Sequence, residues 1–397
     1  MKMFERIKHC YQTAVVIELT ILTISLIYLT SFESRQQVLR NMEHILRFQS
    51  SMSKNGGNVN VTRPHILLIV ADDLGYHDVG YHGSRIKTPN IDKLALSGVR
   101  LENYYVQPLC TPTRGQLLTG RHQIHTGLQW LLWPSVPHGL PLENPTLADK
   151  LRDAGYATHM VGKWHLGFYK KEYLPINRGF QSFFGFLNGH SDYYNHSTVY
   201  KHMEGYDLFE GDQPANINKY EGLYSTTLYT QKVRDIIFNH NTQKPLFIYL
   251  SYQAVHSPMQ VPARYINLNK RVKRGKYRTY AGMVTCMDES IGYIVDAMKE
   301  RGLWDNTITL FTTDNGGDTD LGASNWPLRG GKGCLYEGGV RAVGFVHGAP
   351  LGTQRVGTVS NELIHVSDWF PTFINLAGGN FSGTQPLDGF DQWKTIK

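Results

Sequence analysis

An α/β protein built on a largely parallel, buried sheet is the fold class this sequence predicts, on three observations. Short apolar runs rich in β-branched residues alternate with helical patterns from residue 63 onward. The runs are apolar nearly throughout, as in strands covered on both faces. The 397 residues, 41% hydrophobic and 18% charged, supply a sizeable core and exclude a disordered chain. That length exceeds the usual size of one domain, yet an α/β domain can take most of it as a single folding unit. No internal repeat is evident.

From the amino terminus, Lys2, Arg6 and Lys8 precede Thr13–Phe32, a mostly apolar run interrupted by Glu18. About 20 residues cross a bilayer as a helix, and the basic flank is expected to stay cytoplasmic while the rest enters the lumen. Thr30-Ser31 is a weak cleavage site, so residues 1–32 read as a signal anchor in preference to a cleaved signal peptide. The expected location is the secretory pathway: the lumen of the endoplasmic reticulum or lysosome, or the cell exterior, with a single-pass type II membrane anchor. Sequons at Asn60, Asn195 and Asn380 agree with that route and predict a glycoprotein. Residues 33–62 are polar and mixed in charge, and read as a lumenal stalk.

The globular domain, 63–397, begins at Arg63-Pro64. Strands are expected at His65–Ala71, Ala157–Val161, Leu246–Tyr252, Thr307–Thr313 and Ala342–Val346. Helices are expected at Asn90–Ser97, Thr146–Ala154, Thr226–Asn239, Tyr280–Arg301 and Ser367–Ala377. The net charge of +7 suits an anionic substrate or surface and calls for no nucleic acid. The densest basic run, Lys270 to Arg278, reads first as a solvated loop and second as a contact for sulfated polysaccharide. Of four cysteines, Cys286 and Cys334 are expected to be buried free thiols rather than a disulfide.

The chemistry gathers where strands end. The first strand runs into Asp72-Asp73, the second into Gly162-Lys163-Trp164-His165, the third into Gln253-Ala254-Val255-His256, and the fourth into Asp314-Asn315. Ligands of open α/β sheets bind outside the carboxyl ends of strands. Each item alone has a plain explanation, since Asp-Asp or Asp-Asn after a strand is usually a turn or a cap. Four such coincidences on one rim make the joint structural explanation poor. Three carboxylates and an amide oxygen form a hard-oxygen site suited to Ca²⁺ or Mg²⁺. Lys163, and Lys332 in the loop Arg329-Gly330-Gly331-Lys332-Gly333, could stabilise charge on a transferring group; Arg114 could orient a nucleophile, and His165 and His256 could exchange protons.

One further stretch, Cys110-Thr111-Pro112-Thr113-Arg114 followed by Leu118-Thr119-Gly120-Arg121, resembles the sulfatase signature, in which the cysteine is oxidised to formylglycine before folding. The resemblance runs from about Pro64 to Trp393. It includes Ala71-Asp72-Asp73-Leu74-Gly75, Gly162-Lys163-Trp164-His165-Leu166-Gly167, Asp314-Asn315-Gly316-Gly317 and Trp326-Pro327-Leu328-Arg329-Gly330. Within the family these look like the animal arylsulfatase B, I and J group, which is N-acetylgalactosamine-4-sulfatase-like. The resemblance implies an alkaline-phosphatase-like fold and one calcium ion held by Asp72, Asp73, Asp314, Asn315 and modified Cys110. It further implies that one hydroxyl of hydrated formylglycine attacks sulfur, that His256 and Lys332 assist the departing alcohol, and that Lys163 holds the sulfate. His165 then helps deprotonate the second hydroxyl, so that sulfate is expelled and the aldehyde restored.

Three departures from the family pattern stand out. Thr113 replaces the usual Ser, cysteines common in the group are missing near Trp133–His138 and at Tyr173, and the chain reaches Lys397 where relatives continue into a small antiparallel subdomain. The expected function is therefore calcium-dependent hydrolysis of sulfate esters, on aryl sulfates or sulfated carbohydrate such as glycosaminoglycan, after modification by the formylglycine-generating enzyme. The alternatives are an inactive, truncated protein that binds sulfated glycans, and a phosphoesterase of the same superfamily.

Overall fold

The structure, a computed structural model, describes residues 63–397. The segments expected to be anchor and stalk, Cys10 and the Asn60 sequon lie outside the described residues. Among those described, no helix is long and apolar enough to cross a membrane.

Among the described residues fourteen strands occur: β1 (His65–Ala71), β2 (Val99–Leu101), β3 (Tyr104–Tyr105), β4 (Ala157–Lys163), β5 (Ser182–Phe186), β6 (Ser197–Tyr200), β7 (Met203–Tyr206), β8 (Phe209–Glu210), β9 (Gln213–Pro214), β10 (Leu246–Ser251), β11 (Thr307–Thr313), β12 (Gly344–His347), β13 (Thr358–Ser360) and β14 (Ile364–His365). Ten of them form one sheet in the order β13-β2-β12-β11-β1-β10-β4-β5-β8-β9. Its middle, β11-β1-β10-β4-β5, is parallel throughout, while β12 and β8 attach antiparallel. The expected strand near residue 342 is thus present as β12, starting at Gly344 and running against β11.

The uninterrupted apolar runs have a direct cause in this layering. Leu67, Ile69 and Ala71 of β1 enter one core, while Ile66, Leu68 and Val70 enter the other. Successive side chains of a strand point to opposite faces, so a sheet covered on both sides must be apolar at every position. The principal helices are α1 (Pro89–Leu96), α2 (Cys110–Thr119), α3 (Leu147–Asp153), α4 (Ser225–Asn239), α5 (Lys276–Glu300) and α6 (Trp369–Leu376). Helices α4 and α5 supply Val233, Ile237, Met283 and Ile291 to the first core, and α3 and α6 supply Leu147, Leu151, Phe370 and Phe373 to the second. The predicted Thr146–Ala154 segment is α3 with its caps: Thr146 Oγ1 accepts from Asp149 N, and the Asp149 carboxylate accepts from Thr146 N.

The register puts the carboxyl ends of the central strands side by side. Ala71 faces Thr313, Val70 faces Ser251, and Ser251 faces Gly162. At Gly162, φ is +108°, and a Cβ there would lie 1.8 Å from Ser251 O. Only glycine permits that backbone and that approach, which lets β4 close onto β10 just before Lys163. The basic run from Lys270 is mostly solvent-facing, as expected, although Arg278 donates to the carbonyls of Lys270 and Val272. Cys286 is buried and free as expected. Cys334 is free but exposed, because its glycine-rich loop has no apolar layer over it.

Ile69 is fully buried at the centre of the sheet. Ile69→Ala is expected to lower the unfolding free energy by about 2–5 kcal/mol in denaturant titrations, by lost burial plus a cavity. A loss below ~0.5 kcal/mol would mean that the sheet centre relaxes around the deletion.

Candidate active site

Every residue singled out at the strand ends reaches the same place. Asp72 follows β1, and its N–H donates to Ala254 O at 2.9 Å. Asp314 follows β11, and its N–H donates to Ala71 O at 3.1 Å. Asp73 sits in left-handed backbone, with φ of +60°. That conformation turns its carboxylate toward its neighbours, where Oδ1 accepts from Asn315 Nδ2 at 2.7 Å. One ligand atom from each of Asp72, Asp73, Cys110 and Asp314 lies within 4.8 Å of the others, and all four residues are buried.

Cys110 is the first residue of α2, after Leu109 in extended backbone, and its thiol lies 3.6 Å from Asp72 Oδ1. Arg114 comes one turn later on the same face. Its Nε and Nη2 donate to Asp314 Oδ2 at 3.0 and 2.7 Å, and Nη1 donates to Ser251 Oγ and to Lys163 O. So one helical turn couples the position of Cys110 to β11, β10 and β4. Thr113, where the family pattern has Ser, accepts from Gln107 N at 2.9 Å through Oγ1. A serine hydroxyl makes the same bond, so the exchange leaves the turn before α2 intact.

The cations line up against the carboxylates. Lys163 Nζ donates to Asp72 Oδ2 at 2.6 Å, with both side chains fully buried, and Lys332 Nζ donates to Asp73 Oδ2 at 2.7 Å. His256 Nε2 stands 3.7 Å from the same Asp73 oxygen, while its Nδ1 faces Ser257 O at 2.8 Å. His165 places Nε2 3.1 Å from Leu132 O and leaves the buried Nδ1 without a partner.

Electrostatics set the charge states. Burial, then the neighbouring Asp314, pushes the Asp72 carboxyl up to about 7. Burial works the same way on Asp73, but Lys332 and His256 outweigh it and hold that carboxyl below its usual range. Asp314 is likewise held low, burial being overcome by Arg114 and Lys163. Burial pushes His256 down to about 3, against the pull of Asp73. Burial, then Lys163 and Arg114, drives His165 well below its ordinary value. Both imidazoles are therefore neutral at neutral pH, and each has one nitrogen committed to a carbonyl.

This donor set fits a hard divalent cation. Asn315 Oδ1 is buried with no hydrogen-bond partner, an expensive state unless a cation accepts its lone pair. Asp72, Asp73 and Asp314 supply further oxygens within the same small volume.

Sequence reasoning missed one group at this rim. His190 follows the fifth parallel strand, β5, and its ring lies parallel to that of His256, with centroids 6.1 Å apart. The same rule of looking past each strand would have found it, had Ser182–Phe186 been recognised as a strand.

The loop after Asp73 is fastened from behind. Asp78 Oδ2 accepts from Tyr280 Oη at 2.8 Å and from Ser324 N at 2.9 Å, and the Tyr280 hydroxyl also accepts from Gly75 N at 3.2 Å. A long helix and a distant loop thereby hold the turn after Asp73 in register.

Comparison with known proteins agrees with the geometry. The family pattern described as Sulfatase matches residues 64–379. Arylsulfatase J of Mus musculus is 51% identical over 356 residues, covering 89% of this chain and 59% of that protein. N-acetylgalactosamine-6-sulfatase of Homo sapiens is 31% identical, covering 84% of this chain and 66% of that protein. The chain thus spans about three fifths to two thirds of the length of these relatives. Among solved structures, Ps i-CgsB in complex with k-i-k-neocarrahexaose superposes with a TM-score of 0.79 at 34% identity, covering 84% of this chain and 76% of that one. The fold is accordingly the alkaline-phosphatase-like sulfatase fold.

Asp78 yields a test of the fastening. Burial raises its folded carboxyl pKa from the ordinary 3.8 to about 7, although the hydrogen bonds from Ser324 and Tyr280 oppose the rise. A folded value above the unfolded one means that its stabilisation is complete below about pH 4 and lost as pH rises through about 7. Asp78→Asn should flatten the fall in unfolding free energy across that window, read from denaturant melts at several pH values. An unchanged slope would show that Asp78 is ionised throughout.

Proposed function

The chain belongs to the sulfatase family, and on that premise we propose that residues 63–397 form a catalytic domain that hydrolyses sulfate esters, using formylglycine made from Cys110 and one calcium ion. The observation that carries the reading is the position of Cys110, at the first turn of α2 against Asp72, inside a ring of buried cations and carboxylates. Left as a thiol, Cys110 is poorly suited to attack, because burial and then Asp314 raise its pKa above the usual range. Its sulfur is also the one soft atom among hard oxygens, whereas an oxygen-bearing side chain would make the donor set uniform.

Asp72, Asp73, Asp314, Asn315 and residue 110 would hold the calcium ion. A bound calcium ion would offset charge on a sulfate oxygen, and a hydrated aldehyde at residue 110 would supply an oxygen nucleophile with a second hydroxyl beside it. The remaining work falls to side chains already in place. Lys163, held by Asp72, presents a fixed positive charge to the sulfate, and Arg114 anchors the helical turn that carries residue 110. Lys332 and His256 share Asp73 and face the leaving alcohol. An anionic ester between the lysines raises the pKa of His256, so that Nε2 carries the proton which the departing oxygen needs. The unpartnered Nδ1 of His165 can take a proton from the second hydroxyl, since Nε2 is committed to Leu132 O.

The relatives support sulfated sugars as the substrate class: a glycosaminoglycan or similar carbohydrate, with aryl sulfates as small surrogates. The formylglycine-generating enzyme is the partner this chemistry needs. A secretory or extracellular location, with the N-terminal segment as membrane anchor, completes the proposal.

Three measurements bear on it. Cys110→Ala should reduce turnover of a fluorogenic aryl sulfate by at least a thousandfold while leaving the far-ultraviolet circular dichroism unchanged; wild-type rates in that variant would sink the mechanism. Peptide mass spectrometry of protein from cells with formylglycine-generating activity should find the aldehyde or its hydrate at residue 110. Asp314→Asn should weaken calcium binding by tenfold or more in isothermal titration, and an unaltered affinity would remove Asp314 from the metal site.

A further inference from the structure

Two segments remote in sequence meet above the catalytic rim. The loop following α2 carries Trp133, whose ring stacks on Tyr200 of β6 at a centroid distance of 5.7 Å and an interplanar angle of 25°. Trp133 remains 44% exposed, so the stacked pair keeps an apolar surface open to solvent. We propose that Trp133, Tyr200 and Lys201 form a subsite for the sugar units of the substrate chain that lie next to the unit carrying the scissile sulfate. The inference rests on the sulfatase reading and extends it to the length of substrate recognised.

Both halves of the pair are tied to catalytic histidines. On one side, Leu132 O contacts His165 Nε2 at 3.1 Å, and Leu132 N donates to Thr111 Oγ1 at 3.3 Å, so Trp133 follows directly from a residue pinned to α2 and to His165. On the other side, the segment leading into the β6–β7 hairpin starts at His190, stacked on His256, and passes through Tyr193, whose Oη donates to His256 O at 2.8 Å. The aromatic pair therefore joins the two segments that contact His165 and His256.

Its chemistry suits a sulfated polysaccharide. A pyranose ring offers an apolar C–H face that packs on an indole or phenol ring, and stacked aromatics keep such a surface rigid. Lys201 stands at the hairpin tip with φ of +55° and its Nζ 5.3 Å from the Tyr200 ring centroid. That places a cation over the Tyr200 ring, available to the sulfate or carboxylate groups of a neighbouring sugar. A small aryl sulfate lacks the neighbouring sugar units that this platform would contact.

The test compares two esters on the full chain. Tyr200→Ala and Lys201→Ala, singly and together, should lower kcat/KM on a chondroitin sulfate hexasaccharide at least tenfold more than on a fluorogenic aryl sulfate, mainly through KM. Equal losses on both esters, or no loss on either, would overturn the subsite. Should the wild-type protein turn over neither ester, the catalytic reading fails and the subsite is judged by binding alone. Titrating the hexasaccharide against tryptophan fluorescence should then give a Kd at least tenfold weaker in the double variant, and an unchanged Kd would dismiss the subsite independently.

Discussion

Asp72, Asp73 and Asp314 put three carboxylates into a volume from which water is excluded, and the architecture around them is arranged to make that tolerable. An isolated buried carboxylate would shed its charge by protonation, and three together would repel as well. Arg114, Lys163 and Lys332 answer them with direct contacts of 2.7, 2.6 and 2.7 Å. Three acids against three bases leave the site near neutrality before any ion enters. A divalent cation added to that balance would leave an excess of positive charge, which the anionic ester proposed as substrate would meet. The same balance makes each pairing costly to break, because removing one partner strands the other in a dry interior.

The parallel sheet is what makes this balance geometrically possible. Five adjacent strands run in one direction and end on one line, so β1, β4, β10 and β11 each deliver polar groups to the same edge without bending the chain back. Burial on both faces keeps those strands from shifting in register, since a slip of one residue would exchange the two cores. Arg114 then closes the arrangement, reaching from the first turns of α2 to β11, β10 and β4 at once.

Much of this was legible in the chain before the fold was seen. The bounds of β1 and β11 coincide with their apolar runs, and the residues immediately after the strands are the ones that assemble. Other parts left no trace in the pattern. Helix α2 has all ten residues buried, so it lacks the one-sided periodicity that betrays a helix. Strands of two or three residues, such as β3, β8 and β13, are too short for any period to register, and β5 was hidden by the glycine within it. His190 was lost with β5. The stacking of Trp133 on Tyr200 depends on two irregular segments meeting in space, which no local pattern encodes. Cys334 was misplaced for a related reason: flanking glycines and a leucine read as apolar, yet that leucine is 84% exposed.

The exposed thiol of Cys334 has a practical bearing on how this protein is probed. Among the described cysteines, Cys110 and Cys286 are buried, so an alkylating reagent will meet Cys334 first. That residue lies two positions from Lys332, whose ammonium is held against Asp73. A bulky adduct would pull on the loop and disturb the lysine without touching the residue at position 110. Inactivation by thiol reagents would then imitate the loss of a catalytic cysteine while reporting on something else. Conversely, with Cys10 replaced, a dye on Cys334 offers an optical gauge of the Lys332 loop.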